Sequence, residues 1–157
     1  MSAERLSVGD TAPPFTVLNQ RSEPTRLEDF RGQYVVLYFY PKAMTPGCTT
    51  QACGLRDAQK ELAQRNAVVL GVSPDEPQKL AKFIAKEQLN FDLLSDPDHS
   101  LSESYKVWGM KKFMGREYEG IHRVTYIVSP DGQIAFVMPK VNTKTHHDEI
   151  LQALDSL

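Results

Sequence analysis

YVVLYFYPKAMTPGCTTQAC, residues 34–53, runs from a continuously apolar segment through a turn containing Pro and Gly to two cysteines. Tyr34 to Tyr40 is rich in β-branched and aromatic residues, the pattern of a strand buried on both faces. Pro41 ends it. Beyond Gly47, Leu55, Ala58, Leu62 and Ala63 recur at helical spacing, which predicts a helix from about Cys48 to Arg65. A second apolar run, Ala67 to Val72, reads as another buried strand. Strand, helix and strand in succession make the opening of an α/β fold.

The flanks extend that pattern. Upstream, Phe15–Leu18 and Thr25–Leu27 bracket a polar segment and predict a small hairpin or loop. Downstream, Leu80, Phe83, Ile84 and Glu87 fall on one helical face, and Pro77 suits the first turn of a helix over Pro77–Gln88. A short strand near Phe91–Leu94 and a short helix near Leu101–Val107 follow. Arg123–Val128 and Ile134–Met138 flank Ser-Pro-Asp-Gly, a strong turn signal, and predict an antiparallel hairpin. Ile150, Leu151 and Leu154 predict a closing helix. The whole is read as one domain, residues 1–157, with a mixed central sheet and helices on both faces, and it resembles the thioredoxin fold.

A formal charge of −2 gives no electrostatic footprint for nucleic acid or an acidic membrane surface. The opening MSAERLSVGD has no apolar stretch of a signal peptide, and Tyr34–Tyr40 is too short to span a bilayer, so a cytoplasmic protein is expected. In that compartment a structural disulfide is improbable, which leaves Cys48 and Cys53 as reactive, metal-binding or incidental. His99, His122, His146 and His147 form no recognisable zinc spacing with them.

Cys48 stands at the start of the expected helix. Unpaired N–H groups and the positive end of the helix dipole favour an anion there, and so favour a thiolate. Gly47 leaves room for a substrate oxygen to approach the backbone, and Thr45 offers a hydroxyl hydrogen bond to thiolate or peroxide. Each of these suits nucleophilic attack on an O–O bond.

Pro41, Thr45 and Cys48 reproduce the P-x-x-x-T-x-x-C motif of the peroxiredoxins. FYPKAMTPGCTTQACGLRD (39–57), VGDTAPPF (8–15), GIHRVTYIV (120–128) and NTKTHHDEIL (142–151) resemble the bacterioferritin comigratory, or Q-type, branch. That resemblance implies a thioredoxin-dependent peroxidase needing no cofactor. Its substrates would be hydrogen peroxide and organic hydroperoxides. Cys48 would be the peroxidatic cysteine, Thr45 and Pro41 would complete its pocket, and Arg123 would polarise thiolate and peroxide. Cys53 would resolve the oxidised Cys48, with thioredoxin or glutaredoxin as reductant and a monomer as the working state. Ala43 and Gln51 replace the Asp and Glu of many branch members, departures that look minor. The chain also lacks the Gly-Gly pair of easily overoxidised peroxiredoxins, which implies resistance to sulfinic acid formation.

Geometry adds one consequence. Five residues along one helix advance about 7.5 Å and turn about 140°, which sets the Cα atoms of Cys48 and Cys53 about 8.5–9 Å apart. A disulfide needs them within about 7 Å, so the helix must unwind before the bond can close. Gly54, a weak helix former, is consistent with that. Two other readings stay open at this point. A disulfide oxidoreductase is weakened by the absence of C-x-x-C. A redox sensor shares the first oxidation step and differs in the fate of the disulfide.

Overall fold

Along β3 (Tyr34–Phe39) side chains alternate between two separate cores. Val36 and Tyr38, with Tyr40 just beyond, join one cluster, whereas Val35, Leu37 and Phe39 join the other. This is why the segment is apolar without a break. The computed structural model describes residues 5–157, so the first four residues of MSAERLSVGD lie outside the described residues.

The chain continues into α1 (Pro46–Asp57), α2 (Gln59–Gln64), β4 (Ala67–Ser73), α3 (Pro77–Glu87), β5 (Asp92–Ser95) and α4 (Ser100–Ser104). Ahead of β3 lie β1 (Thr16–Asn19), β2 (Pro24–Arg26) and a 3-10 turn over Leu27–Phe30. After α4 come β6 (Trp108–Phe113), β7 (Arg116–Ile121), β8 (Val124–Val128), β9 (Ile134–Met138) and α5 (His146–Asp155). Seven strands form one mixed sheet in the order β2-β1-β5-β4-β3-β8-β9, with β3 parallel to β4 and β4 parallel to β5. On one face Leu55, Leu62, Leu80, Phe83 and Ile150 bring α1, α2, α3 and α5 against the sheet. On the other, Leu101 and Leu27 bring α4 and the 3-10 turn. The expected α/β architecture, with helices on both faces, is what the chain adopts.

The structure differs from expectation at four points. The single helix over residues 48–65 is two, broken at Ala58, whose backbone leaves the helical region (φ −94, ψ 5). Carbonyls at the break are still paired: Gln59 Nε2 donates to Leu55 O (3.1 Å) and Asn90 Nδ2 to Arg56 O (3.2 Å). The helix near Leu101–Val107 is shorter and earlier, and Arg123 stands just before β8 rather than inside it. Finally, β6 and β7 form an unforeseen two-stranded hairpin, with Phe113 opposite Arg116. Its turn is Met114-Gly115, both at positive φ (52° and 78°), the geometry that two-residue hairpin loops use.

Candidate active site

The fold delivers Cys48 through a strained turn. β3 ends beside Pro41, and Met44 adopts φ 66, a left-handed conformation costing a non-glycine residue roughly 1–3 kcal/mol. Thr45 then takes the N-cap position and Pro46 the first helical position, where its missing N–H costs nothing. Cys48 follows in the first turn of α1, 1% exposed, against Ala52 and Leu55 in the core cluster.

Arg123 reaches it from the opposite side. Its Nη2 donates to Cys48 Sγ at 3.1 Å, and its Nη1 donates to Gln51 Oε1 at 2.9 Å. One guanidinium thus spans a sulfur and an amide one helical turn apart, a fork geometry that a lysine cannot reproduce. Gly47 makes the approach possible: a Cβ there would lie 3.2 Å from Arg123 Nη2. The side on which Gly47 lacks a Cβ faces Arg123.

Thr45 differs from expectation. Its hydroxyl donates to Lys42 O (3.0 Å), not to Cys48. The carbonyl at the turn takes the proton and leaves Oγ1 with acceptor capacity only. Pro41 is half-buried between Tyr40 and the turn. Cys53 points elsewhere. Its Sγ donates to Glu87 Oε1 at 3.6 Å across to α3, and both cysteines are free thiols. Burial pushes the Cys53 thiol's pKa up; Arg56 opposes this, and the hydrogen bond to Glu87 adds to it.

Four more side chains, to which sequence reasoning gave no role, lie around the site. Gln51, read above as a minor departure, is 1% exposed and sits between Arg123 and His146, with its Nε2 3.1 Å from His146 Nδ1. His146 Nε2 lies 2.7 Å from Thr125 Oγ1. From the hairpin, Lys111 Nζ donates to Ile121 O (2.9 Å); burial lowers its pKa, Arg123 pushes the same way, and Cys48 opposes. Among the described residues, no three His, Cys, Asp or Glu side chains converge as a metal site.

The AhpC/TSA family model matches residues 8–137. Peroxiredoxin Bcp of Escherichia coli strain K12 is 52% identical over 149 residues, which is 95% of this chain and 96% of that protein. The chain belongs to the Bcp peroxiredoxins. Peroxiredoxin Bcp of Bacillus subtilis strain 168 is 43% identical over 152 residues, 97% of each chain. Among solved structures, a cysteine variant of PrxQ from Xylella fastidiosa superposes with a TM-score of 0.92 at 31% identity, covering 98% of each chain. The bacterioferritin comigratory protein of Xanthomonas campestris, described for its alkyl peroxide reduction activity, gives 0.86 at 34% identity over 90% of each chain. The fold of this peroxiredoxin is therefore thioredoxin-like, and its family chemistry is that of a thiol peroxidase. Among the described residues no helix is long and apolar enough to cross a membrane.

Proposed function

We propose that Cys48 is the attacking thiol, that Arg123 holds its thiolate and the peroxide together, and that Cys53 resolves the product. The observation carrying this reading is the 3.1 Å contact between Arg123 Nη2 and Cys48 Sγ at the first turn of α1. A charged donor and the first turn of a helix meet at one sulfur.

Cys48 thiolate attacks one peroxide oxygen. An S–O bond forms, the O–O bond breaks, and the departing oxygen takes up a proton as water or alcohol. Sulfur is oxidised to sulfenic acid and the peroxide is reduced. Cys53 thiolate then attacks that sulfur. The S–S bond forms, the S–O bond breaks, and hydroxide leaves as water after protonation. A dithiol of the thioredoxin class, or of glutaredoxin, reduces the disulfide through a mixed disulfide. Thr45 Oγ1, its own proton held by Lys42 O, accepts the hydrogen bond of a peroxide O–H. Pro41 closes the pocket without adding a competing donor. Hydrogen peroxide and alkyl hydroperoxides are the proposed substrates, and the chain works as a single-domain cytoplasmic monomer.

Coupled turnover of hydrogen peroxide and an alkyl hydroperoxide with thioredoxin tests the reading. Cys48→Ser is expected to be inactive. Cys53→Ser is expected to react once and to lose efficient recycling. Turnover retained by Cys48→Ser overturns the assignment.

A further inference from the structure

Behind Arg123 lies a buried hydrogen-bonded row that runs through a histidine to Thr125. Gln51 from α1, Thr125 from β8 and His146 at the start of α5 are 1%, 0% and 0% exposed. Their hydrogen-bonding capacities leave one consistent arrangement. A guanidinium only donates, so the Gln51 atom 2.9 Å from Arg123 Nη1 must be the carbonyl oxygen. The amide NH2 therefore faces His146 Nδ1 at 3.1 Å, and that nitrogen must present a lone pair. The ring proton then lies on Nε2 and is donated to Thr125 Oγ1 at 2.7 Å.

We infer that His146 is a positioning residue for the peroxidase reaction: it holds the Gln51 amide in the one orientation that presents Oε1 to Arg123 and so steadies the guanidinium on Cys48. This rests on the assignment of Cys48 and Arg123 made above. With a proton on Nδ1, the Gln51 amide must turn, and its NH2 meets the guanidinium donor to donor. With Gln51 and His146 this deeply buried, bulk solvent does not reach the amide to relieve that conflict. Burial keeps the imidazole neutral, with His147 and Arg123 pushing the same way and bringing its pKa to about 3. The Tyr38 ring, 5.8 Å away at 63°, holds the imidazole edgewise.

The test compares His146→Leu, which removes the acceptor, with His146→Asn, whose Oδ1 replaces Nδ1 on the same carbon. The rate constant of Cys48 with hydrogen peroxide is read by competition against a haem peroxidase. Reduction of the disulfide by dithiothreitol is read separately. The leucine variant is expected to lose roughly 10- to 100-fold in the peroxide step, with disulfide reduction unchanged. The asparagine variant is expected to recover most of that loss. A leucine variant at the wild-type rate, or an asparagine variant no faster than leucine, overturns the inference. Should His146→Leu fail to fold, 15N spectra of wild-type His146 decide: a proton on Nε2 across about pH 5–8 supports it, and one on Nδ1 defeats it. Cys48→Ser run in parallel separates the two layers. Residual turnover there removes the site assignment, whereas a dead Cys48→Ser beside an unimpaired His146→Leu removes only the role of His146.

Discussion

Cys48 and Cys53 share one continuous helix, yet their sulfurs face different partners: Cys48 accepts from Arg123 at 3.1 Å, whereas Cys53 donates to Glu87 at 3.6 Å. At five residues' separation in a helix their Cα atoms lie about 8.5–9 Å apart, beyond reach of a disulfide. A Cys48–Cys53 disulfide, as proposed, would therefore require part of α1 to unwind. Circular dichroism is expected to show lower helix content in the oxidised protein than in the reduced one. Identical spectra, with the Cys48–Cys53 bond established by mass spectrometry, would sink the idea.

The partner of Cys53 makes its reactivity depend on that unwinding. In the folded helix, burial and the hydrogen bond to Glu87 hold the proton on sulfur, while Arg56 works against them. On the proposed mechanism, release from α1 would remove both restraints and let the thiolate form. Glu87→Gln in a Cys48→Ser background is expected to move the pH profile of Cys53 alkylation to lower pH. A profile that stays in place, or moves up, argues against Glu87 as the restraint.

How much of this was legible in the sequence depends on burial. Tyr34–Phe39 and Ala67–Ser73 declare themselves because both faces of each strand are covered, and the motif around Cys48 because its residues are close in the chain. The hairpin of Trp108–Ile121 is mostly exposed on both faces, so Lys and Glu interrupt any alternation, and its Met-Gly turn lacks the usual Asn or Asp. Gln51 and His146 are polar and 95 positions apart, and although both lie in family-like stretches nothing local marks them as partners. Both cost free energy to bury alone, and only the fold pairs them. Gly54 carried a signal with two meanings. Its weak helix propensity fits unwinding, but a Cβ there would also lie 2.5 Å from His147 Nδ1, so close contact of α5 with α1 requires it.

Gly47 offers a substitution that separates activity from stability. Alanine is the better helix former by about 1 kcal/mol, so Gly47→Ala is expected to leave the melting temperature unchanged or raised. Its Cβ would sit 3.2 Å from Arg123 Nη2 and displace the guanidinium by a few tenths of an ångström. The peroxide rate constant is expected to fall roughly tenfold through that misplacement. An undiminished rate would show that Arg123 tolerates the shift.

His146 also makes the stability of the fold depend on pH on the acid side. In the unfolded chain an imidazole takes its proton near pH 6.5, whereas burial here holds it neutral down to about 3. Between those values the unfolded state binds the extra proton, so the contribution of this residue is complete above pH 6.5 and is lost as pH falls toward 3. The slope is at most about 1.4 kcal/mol per pH unit. Urea unfolding at about pH 7 and about pH 5 is expected to show wild type losing more stability than His146→Asn, which has no proton to take up. Equal losses in the two proteins would mean that His146 is protonated in the folded state as readily as in the unfolded one, and the neutral tautomer facing Gln51 could not stand.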